Sequence, residues 1–184
     1  MKSVLNHQKS WLLLVSMCLI FSSCMKDTFV ATTSVKKCTL LSLEYDEACD
    51  GSTNSNKVKI YEDFNVKFSL ALYDGCLCVL RYDRDNSTGW NLYATVNGAG
   101  IVTVGKCDSI SDITSGCALG AGFYFSDSFY YPISCHKADI QPNYGYSAVV
   151  SSDDNEIQIR IRIIGYSLRE SGAIDSIRIE YQLW

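Results

Sequence analysis

Cysteine and histidine are the residues of this chain best suited to nucleophilic catalysis. The sequence contains nine cysteines and two histidines, and a catalytic cysteine or serine usually needs a histidine as its base. His136 is the only histidine after residue 24, and its neighbour Cys135 points the opposite way on an extended backbone. No Gly-x-Ser-x-Gly motif is present. The sequence therefore predicts no catalytic residues, and we expect a protein that is not an enzyme.

A pair of carboxylates is the remaining route to catalysis. Glycoside hydrolases place two Asp or Glu side chains on either side of the bond they cut. The sequence holds 20 acidic residues, but no spacing singles out a pair. A carboxylate-based glycan hydrolase is therefore the alternative function.

Metal-binding residues are sparse. A structural zinc site takes four Cys or His ligands, commonly in closely spaced pairs. Cys76 and Cys78 form one such pair, but Cys135 and His136 are adjacent, and no Cys-x-x-Cys occurs. We expect no metal site and no cofactor.

Residues 123–131 are the best candidate for a binding surface. They run Phe-Tyr-Phe-Ser-Asp-Ser-Phe-Tyr-Tyr, six aromatic side chains around a polar centre. Exposed rings can stack on sugars, and Tyr and Phe are enriched at protein interfaces. The alternative is that alternate rings fill the core while the others cover its rim. The candidate binding residues are Tyr124, Phe129, Tyr130 and Tyr131.

Residues 11–21 form an apolar run, preceded by lysines and followed by two serines and Cys24. This order is typical of an export signal, and the run is shorter than the roughly 20 apolar residues that cross a bilayer. The sequence Phe-Ser-Ser-Cys at 21–24 resembles the lipobox of bacterial lipoproteins. The resemblance implies a signal peptide at 1–23 and acylation of Cys24, which becomes the N-terminus and anchors the protein in a membrane. Plain secretion is the alternative.

The remaining chain is long enough for one domain. We expect a flexible tether at 24–37 and a single domain at 38–184. The formal net charge of the whole sequence is −4, and loss of Lys2 and Lys9 with the signal makes it more negative. Since nucleic-acid-binding domains usually carry a basic stripe, we expect no nucleic-acid partner.

An exported compartment permits disulfides, and seven cysteines remain beyond the lipid site. Because seven is odd, at least one is not paired within the chain. Cys107 and Cys117 flank one polar loop, Cys38 and Cys49 flank another, and Cys76 or Cys78 is in reach of Cys135. The alternative is that several are small buried hydrophobes. The candidate disulfide cysteines are Cys38, Cys49, Cys76, Cys78, Cys107, Cys117 and Cys135.

Short strands separated by turn signals account for most of the domain. Val66, Phe68 and Leu70 alternate with polar residues, the period of a half-buried strand, and Asp74-Gly75 follows as a turn. The clearest prediction is a closing hairpin, with Arg160 or Arg162 opposite Glu180 on its solvent face. Its inward residues are Ile157, Ile159, Ile161 and Ile163 in one arm and Ile177, Ile179, Tyr181 and Leu183 in the other.

No helix is expected after the signal, and isoleucine at this density favours sheet. The sequence therefore predicts an all-β fold, an antiparallel β-sandwich that is Ig-like or related. A partly open barrel is the alternative.

Three segments resemble small Bacteroidota lipoproteins of uncharacterised function. They are residues 111–114 (Ser-Asp-Ile-Thr), 141–146 (Gln-Pro-Asn-Tyr-Gly-Tyr), and 172–175 (Gly-Ala-Ile-Asp) followed by Glu-Tyr-Gln at 180–182. The resemblance implies an all-β domain held at the outer membrane by its lipid, on the periplasmic or the surface face, and implies no activity. We therefore expect a lipid-anchored binding or scaffolding module whose partner is a protein or a glycan.

Overall fold

Strands carry nearly all the regular structure of this chain. The computed structural model describes residues 33–52, 54–87, 89–92, 98–114, 116, 123–126, 134–152 and 155–183, and for residues 123–126, 134–136 and 155 it describes the backbone. These residues belong to one compact unit, Ala31–Trp184. No helix among them is both long and apolar enough to cross a bilayer.

Eleven strands and two short helices are found in the described part of the chain. The strands are β1 (Lys36–Leu43), β2 (Lys57–Glu62), β3 (Val66–Tyr73), β4 (Cys76–Asp85), β5 (Gly89–Leu92), β6 (Ala99–Lys106), β7 (Phe123–Ser126), β8 (Ser134–Asp139), β9 (Tyr144–Ser152), β10 (Asn155–Leu168) and β11 (Ile174–Leu183). The helices are α1 (Tyr45–Cys49) and a single 3-10 turn (Ile110–Asp112).

The strands form one curled mixed sheet in the order β6-β9-β10-β11-β1-β3-β4-β8-β7, with β2 beside β3 and β5 beside β4. β1 joins the two halves, because residues 36–41 pair antiparallel with β11 while residues 42–43 pair parallel with β3. The predicted all-β fold class is confirmed. The sheet curls into a half-barrel, closer to the partly open barrel than to two stacked antiparallel sheets.

The core lies inside the curl of the sheet. The predicted closing hairpin is β10–β11, and Ile159, Ile161, Ile163, Ile177 and Ile179 are completely buried, as their alternation indicated. Burying a side chain of this size contributes roughly 1.5–3 kcal/mol. Leu40 from β1 and Phe68, Leu70 and Leu72 from β3 complete the same cluster.

The outer face of β10–β11 is not exposed to solvent as its polar residues suggested. Residues 107–113 cross it, and Cys107, Ile110 and Ile113 form a second small core there. Arg162 forms the predicted ion pair with Glu180, at 3.1 Å, and also donates to the Cys107 carbonyl. Polar side chains on this face therefore hold the covering segment in place.

β3 is also buried on both faces, where the sequence predicted one polar face. Asp74 and Gly75 form the predicted turn to β4, with φ of 52° and 71°, the left-handed values of a two-residue hairpin. Lys67 and Ser69 lie on the strand face opposite Phe68 and Leu70, and they are buried too. The turn and register thus confirm the strand, but its exposure differs from the prediction.

Residues before Cys38, where the predicted domain begins, already contact the sheet. The Thr33 hydroxyl accepts a hydrogen bond from the Leu183 backbone N–H at 3.1 Å, and β1 starts at Lys36. Part of the segment predicted as a tether is therefore bound to the last strand of the sheet.

Candidate functional site

The sequence-predicted binding surface is only partly covered by the structure. Tyr124 lies in β7, where its backbone pairs with His136 of β8. Its side chain lies outside the described residues, as do Phe129, Tyr130 and Tyr131, and the lipid site Cys24. These predictions therefore remain predictions.

Five of the candidate disulfide cysteines have described side chains, Cys38, Cys49, Cys76, Cys78 and Cys107, and of these Cys38, Cys49 and Cys107 are free thiols. The Cys38–Cys49 bridge is thus not formed in this structure. Cys78 is fully buried, behaving as the small hydrophobe that was the alternative. Burial raises the pKa of the Cys38 and Cys107 thiols. Cys117 and the side chain of Cys135 lie outside the described residues.

A row of six side chains on the outer face of β2–β5 is the most unusual feature of the described structure. Cations and aromatic rings alternate along it, and we call it the cation–aromatic row. From its exposed to its buried end it consists of Phe64, Arg84, Trp90, Lys67, Tyr82 and Lys57.

Each cation in the row lies within reach of an aromatic face, since cation–π attraction extends to about 6 Å from the ring centroid. The Arg84 Cζ atom is 4.9 Å from the Phe64 ring centroid and 5.8 Å from that of Trp90. The Lys67 Nζ atom is 5.3 Å from the Trp90 ring and 5.4 Å from the Tyr82 ring. The Lys57 Nζ atom is 5.2 Å from the centroid of the Tyr82 ring, so this ring contacts both lysines.

Strand register brings these residues together. Lys67 of β3 is directly opposite Tyr82 of β4, and Arg84 of β4 is directly opposite Trp90 of β5. Side chains paired in this way have Cβ atoms about 4.5–5.5 Å apart. Because side chains alternate between faces along a strand, Tyr82 and Arg84 project to the same side, so the two pairs merge into one row.

The buried end of the row is fixed by the covering helix α1 and the loop after it. The Tyr82 hydroxyl donates to the Ala48 carbonyl at 2.7 Å, and the Lys57 ammonium donates to the Asp50 carbonyl. Lys57 and Lys67 are 7% and 2% exposed. Burial lowers the pKa of both lysines, and it outweighs the attraction of Asp50 for Lys57 and of Glu62 and Asp50 for Lys67.

The other end of the row faces solvent. Phe64 is 70% exposed, Arg84 is exposed and Trp90 is half-buried. Gly51 lies against Trp90, where an added Cβ would overlap the Trp90 side chain and backbone. The absence of a side chain at Gly51 thus lets the α1–β2 loop pack closely against the Cβ atom and backbone of Trp90.

The three cations of the row form no ion pair with any described carboxylate. Asp50 attracts Lys57 and Lys67, and Glu62 attracts Lys67, from beyond ion-pair distance. The nearby acids also have closer partners, and the Asp50 carboxylate accepts from the backbone and side chain of Ser52. Asp83 pairs with Arg81 at 2.9 Å, and Glu62 pairs with Lys59 at 2.9 Å. Asp63 accepts hydrogen bonds from the backbone N–H groups of residues 65 and 66. The row is therefore a local concentration of positive charge in a chain of net charge −4.

A cleft of about 420 Å³ lies elsewhere, between the end of β1 and the β3–β4 and β10–β11 turns. Two carboxylates line it, but each is engaged by a cation. Glu44 pairs with Arg169 at 3.5 Å, and Asp74 pairs with Lys137 at 3.1 Å. Tyr45 and Tyr73 also line this cleft. No group of three or more His, Cys, Asp or Glu that could hold a metal occurs among the described residues.

Comparison with known proteins offers no precedent for this geometry. No family model, curated protein or solved structure matches the chain. What the cation–aromatic row does must therefore be inferred from its own contacts, burial and charge.

Sequence reasoning placed Lys67 on a solvent-facing polar strand face and did not connect it to Tyr82 or Trp90. One signal for the first pair was present in the sequence. Counting back from the Asp74-Gly75 turn, a two-residue hairpin places Lys67 opposite Tyr82. The burial of this pair has no comparable signal, because it depends on α1 and β5.

Proposed function

We propose that this chain is a lipid-anchored, non-enzymatic binding module of the cell envelope and that its ligand is a glycan. The observation that carries the proposal is the exposed end of the cation–aromatic row, where Phe64, Arg84 and Trp90 lie side by side. A partner protein is the other ligand class, and the experiment below distinguishes the two.

The exposed end combines the two kinds of contact that a sugar offers. Pyranose rings present C–H faces, which pack on an aromatic ring, and a rim of hydroxyl groups, which hydrogen-bond to charged donors. Phe64 is 70% exposed and supplies an apolar face, while Arg84 supplies up to five N–H donors in a rigid fork. Small-molecule binding sites typically combine an apolar surface with a few well-placed polar groups.

The lipid anchor is proposed from the sequence. The segment at 21–24 and the resemblance to small Bacteroidota lipoproteins support acylation of Cys24 and an outer-membrane location. The test is metabolic labelling with a fatty acid, followed by membrane fractionation of the wild type and Cys24→Ser. Label and membrane association should both disappear in the variant. A variant that stays acylated would contradict the assignment.

A glycan array probed with the full chain in detergent tests the ligand class. We expect binding that Phe64→Ala removes, while Leu168→Ala leaves it unchanged, because Leu168 is 55% exposed but lies outside the row. If a combined Tyr124, Tyr130 and Tyr131 change to Ala removes binding and Phe64→Ala does not, the surface predicted from the sequence is the site instead. A blank array with the wild type would contradict a glycan ligand and leave a partner protein.

The second candidate is a carboxylate-based glycan hydrolase, because Glu44 and Asp74 line one cleft. Hydrolysis of a bound glycan would release new reducing ends, and Glu44→Gln or Asp74→Asn would stop it, whereas the exposed control Glu170→Gln would not. We expect no release from the wild type, because both carboxylates are engaged by cations. Release that depends on either residue would overturn the non-enzymatic assignment.

A further inference from the structure

We propose that the glycan recognised at the exposed end of the cation–aromatic row is acidic, that is, a saccharide bearing carboxylate or sulfate groups, with Arg84 as its main anion contact. The inference rests on the proposed glycan-binding function and specifies its ligand. It depends on three features of the row: the absence of direct ion pairs, the placement of Arg84 and the orientation of nearby acids.

The absence of direct ion pairs is the first feature. Arg84, Lys67 and Lys57 lie in one row, and none has a carboxylate of the described chain within ion-pair distance. Taking a cation out of water without a counterion is costly. An anion at the solvent end would interact with Arg84 directly and with Lys67 through a partly desolvated site, where charge interactions are stronger than in water.

The placement of Arg84 is the second feature. Its guanidinium lies between two rings, Phe64 and Trp90, at 4.9 and 5.8 Å from their centroids. Stacking on rings restricts the side chain before any ligand arrives, so less rotamer freedom is lost on binding. The planar fork of donors matches the two oxygens of a carboxylate or sulfate group.

The orientation of nearby acids is the third feature. Asp83 and Asp85 precede and follow Arg84 in β4, so they project to the opposite face of the strand. Asp83 is also paired with Arg81 on that face. An anionic ligand on the side of Phe64 and Trp90 therefore meets Arg84 without direct opposition from its chain neighbours.

The two rings favour a saccharide over an acidic protein surface. Phe64 and Trp90 flank the cation closely, giving a compact site in which one sugar ring can stack while its acidic group reaches the guanidinium. An acidic protein surface is nonetheless the principal competing partner, and it would contact this site through carboxylates without needing the rings.

Isothermal titration calorimetry of the full chain in detergent tests the inference. The probes are trigalacturonate for carboxylate, a heparin hexasaccharide for sulfate, and maltotriose as the neutral reference. We expect one of the acidic probes to bind and maltotriose to bind at least tenfold more weakly. Raising the salt concentration from 50 to 500 mM should weaken acidic-probe binding, because salt screens exposed charges.

Variants of residues in the cation–aromatic row test whether the acidic probe binds there. Arg84→Gln should weaken the acidic probe by about tenfold or more, Arg84→Lys should recover part of that loss, and Phe64→Ala should weaken it too. Arg178→Gln is the matched control, since Arg178 is also an exposed strand arginine but lies in β11. It should leave binding unchanged. Thermal melts of each variant confirm that the fold is intact.

The possible failures are distinguishable. Equal binding of maltotriose and the acidic probes, insensitive to Arg84→Gln, would overturn the acidic ligand but leave the glycan-binding function. Binding of none of the three saccharides, together with a blank glycan array, would overturn both. Acidic-probe binding that falls with Arg84→Gln but is unaffected by Phe64→Ala would indicate a simple charge contact, such as an acidic protein would make, and would also overturn the inference.

Discussion

Replacing Lys67 by Met should make the folded protein more stable. The ammonium of Lys67 is carried on a residue that is 2% exposed, and it has no ion pair among the described residues. Methionine has a similar length and flexible shape, and it lacks the charge. The substitution therefore keeps the packing of the side-chain stem and removes the group that has lost its hydration.

Two opposing contributions set the size of the effect. The Trp90 and Tyr82 rings, at 5.3 and 5.4 Å, each offset roughly 0.5–2 kcal/mol of the cost of burying the cation. The cost itself is several kcal/mol for a desolvated ion. The pKa of Lys67 is lowered by burial, so the balance disfavours the charged form. We expect Lys67→Met to gain about 1 kcal/mol near pH 7, the low end of the range for replacing buried charge by an apolar side chain.

The gain should shrink as the pH rises. Because the folded-state pKa of Lys67 is below the usual value of about 10.4, the folded protein loses this proton first. Between the folded-state pKa and about 10.4 the unfolded chain holds more protons, so the wild type becomes relatively more stable. Below the folded-state pKa the difference between wild type and variant should be constant. Other titrating groups are common to both proteins and cancel in the difference.

Urea unfolding followed by circular dichroism, at several pH values from 7 to 10, measures this difference. Lys59→Met is the control, because Lys59 is in the adjacent strand but its side chain is 53% exposed and paired with Glu62. Removing that exposed pair should cost about 0.2–1 kcal/mol. A loss of stability in Lys67→Met comparable to the control, with no dependence on pH, would refute the reasoning that burial of the ammonium destabilises the folded protein.

Further predictions concern the rest of the fold. Tyr146→Phe should destabilise the protein by about 1–2 kcal/mol in urea unfolding, because the buried hydroxyl accepts from one backbone N–H and donates to one carbonyl, both at 2.8 Å. Burial raises the pKa of Tyr146 to about 12, so the wild type, but not the Phe variant, should lose this contribution as the pH rises above about 10. Gly145→Ala should lower the melting temperature, since its Cβ would lie 2.7 Å from Ile113, and overpacking costs about 1–3 kcal/mol; an unchanged melting temperature would contradict that contact. Cys38 and Cys107 should react more slowly with iodoacetamide at pH 8 in the folded than in the urea-unfolded protein, because burial raises the pKa of both thiols; equal rates measured by mass spectrometry would contradict it.

The parts of the fold that the sequence predicted well are those where one face of a strand is apolar and the other is polar. Arginines separate successive isoleucines in the middle of β10 and β11, and the isoleucines there are completely buried: Ile159, Ile161, Ile163, Ile177 and Ile179. The Asp74-Gly75 turn was equally predictable from the sequence, because its two residues tolerate the positive φ that a tight hairpin needs.

The sequence was less informative about what covers the polar faces. Lys67 and Ser69 alternate with apolar residues as solvent-facing side chains would, yet both are buried. Alternation identifies two faces of a strand, and it cannot tell which other element will lie on each. The covering helix α1 lies in a segment that looked like a polar loop, and five residues are too few to show helical periodicity.

The candidate site was the part that was hardest to predict from the sequence. Its six side chains come from five segments spread over residues 57–90, and no two are adjacent in the sequence. Only cross-strand register brings them into one row, and register between β4 and β5 depends on a turn without a tight-hairpin signature. The predicted aromatic segment at 123–131 was conspicuous because its rings are contiguous, which is a property of the sequence and not of the fold.

The position of β1 also bears on how the protein matures. This strand is the first along the described chain, yet it requires β11, the last, as one of its two neighbours. Because the chain is synthesised from its N-terminus, the pairing of β1 with β11 cannot form until residues 174–183 have been made. Long-range pairing of this kind slows folding. β1 therefore lacks one of its two neighbouring strands until the last described strand has been made.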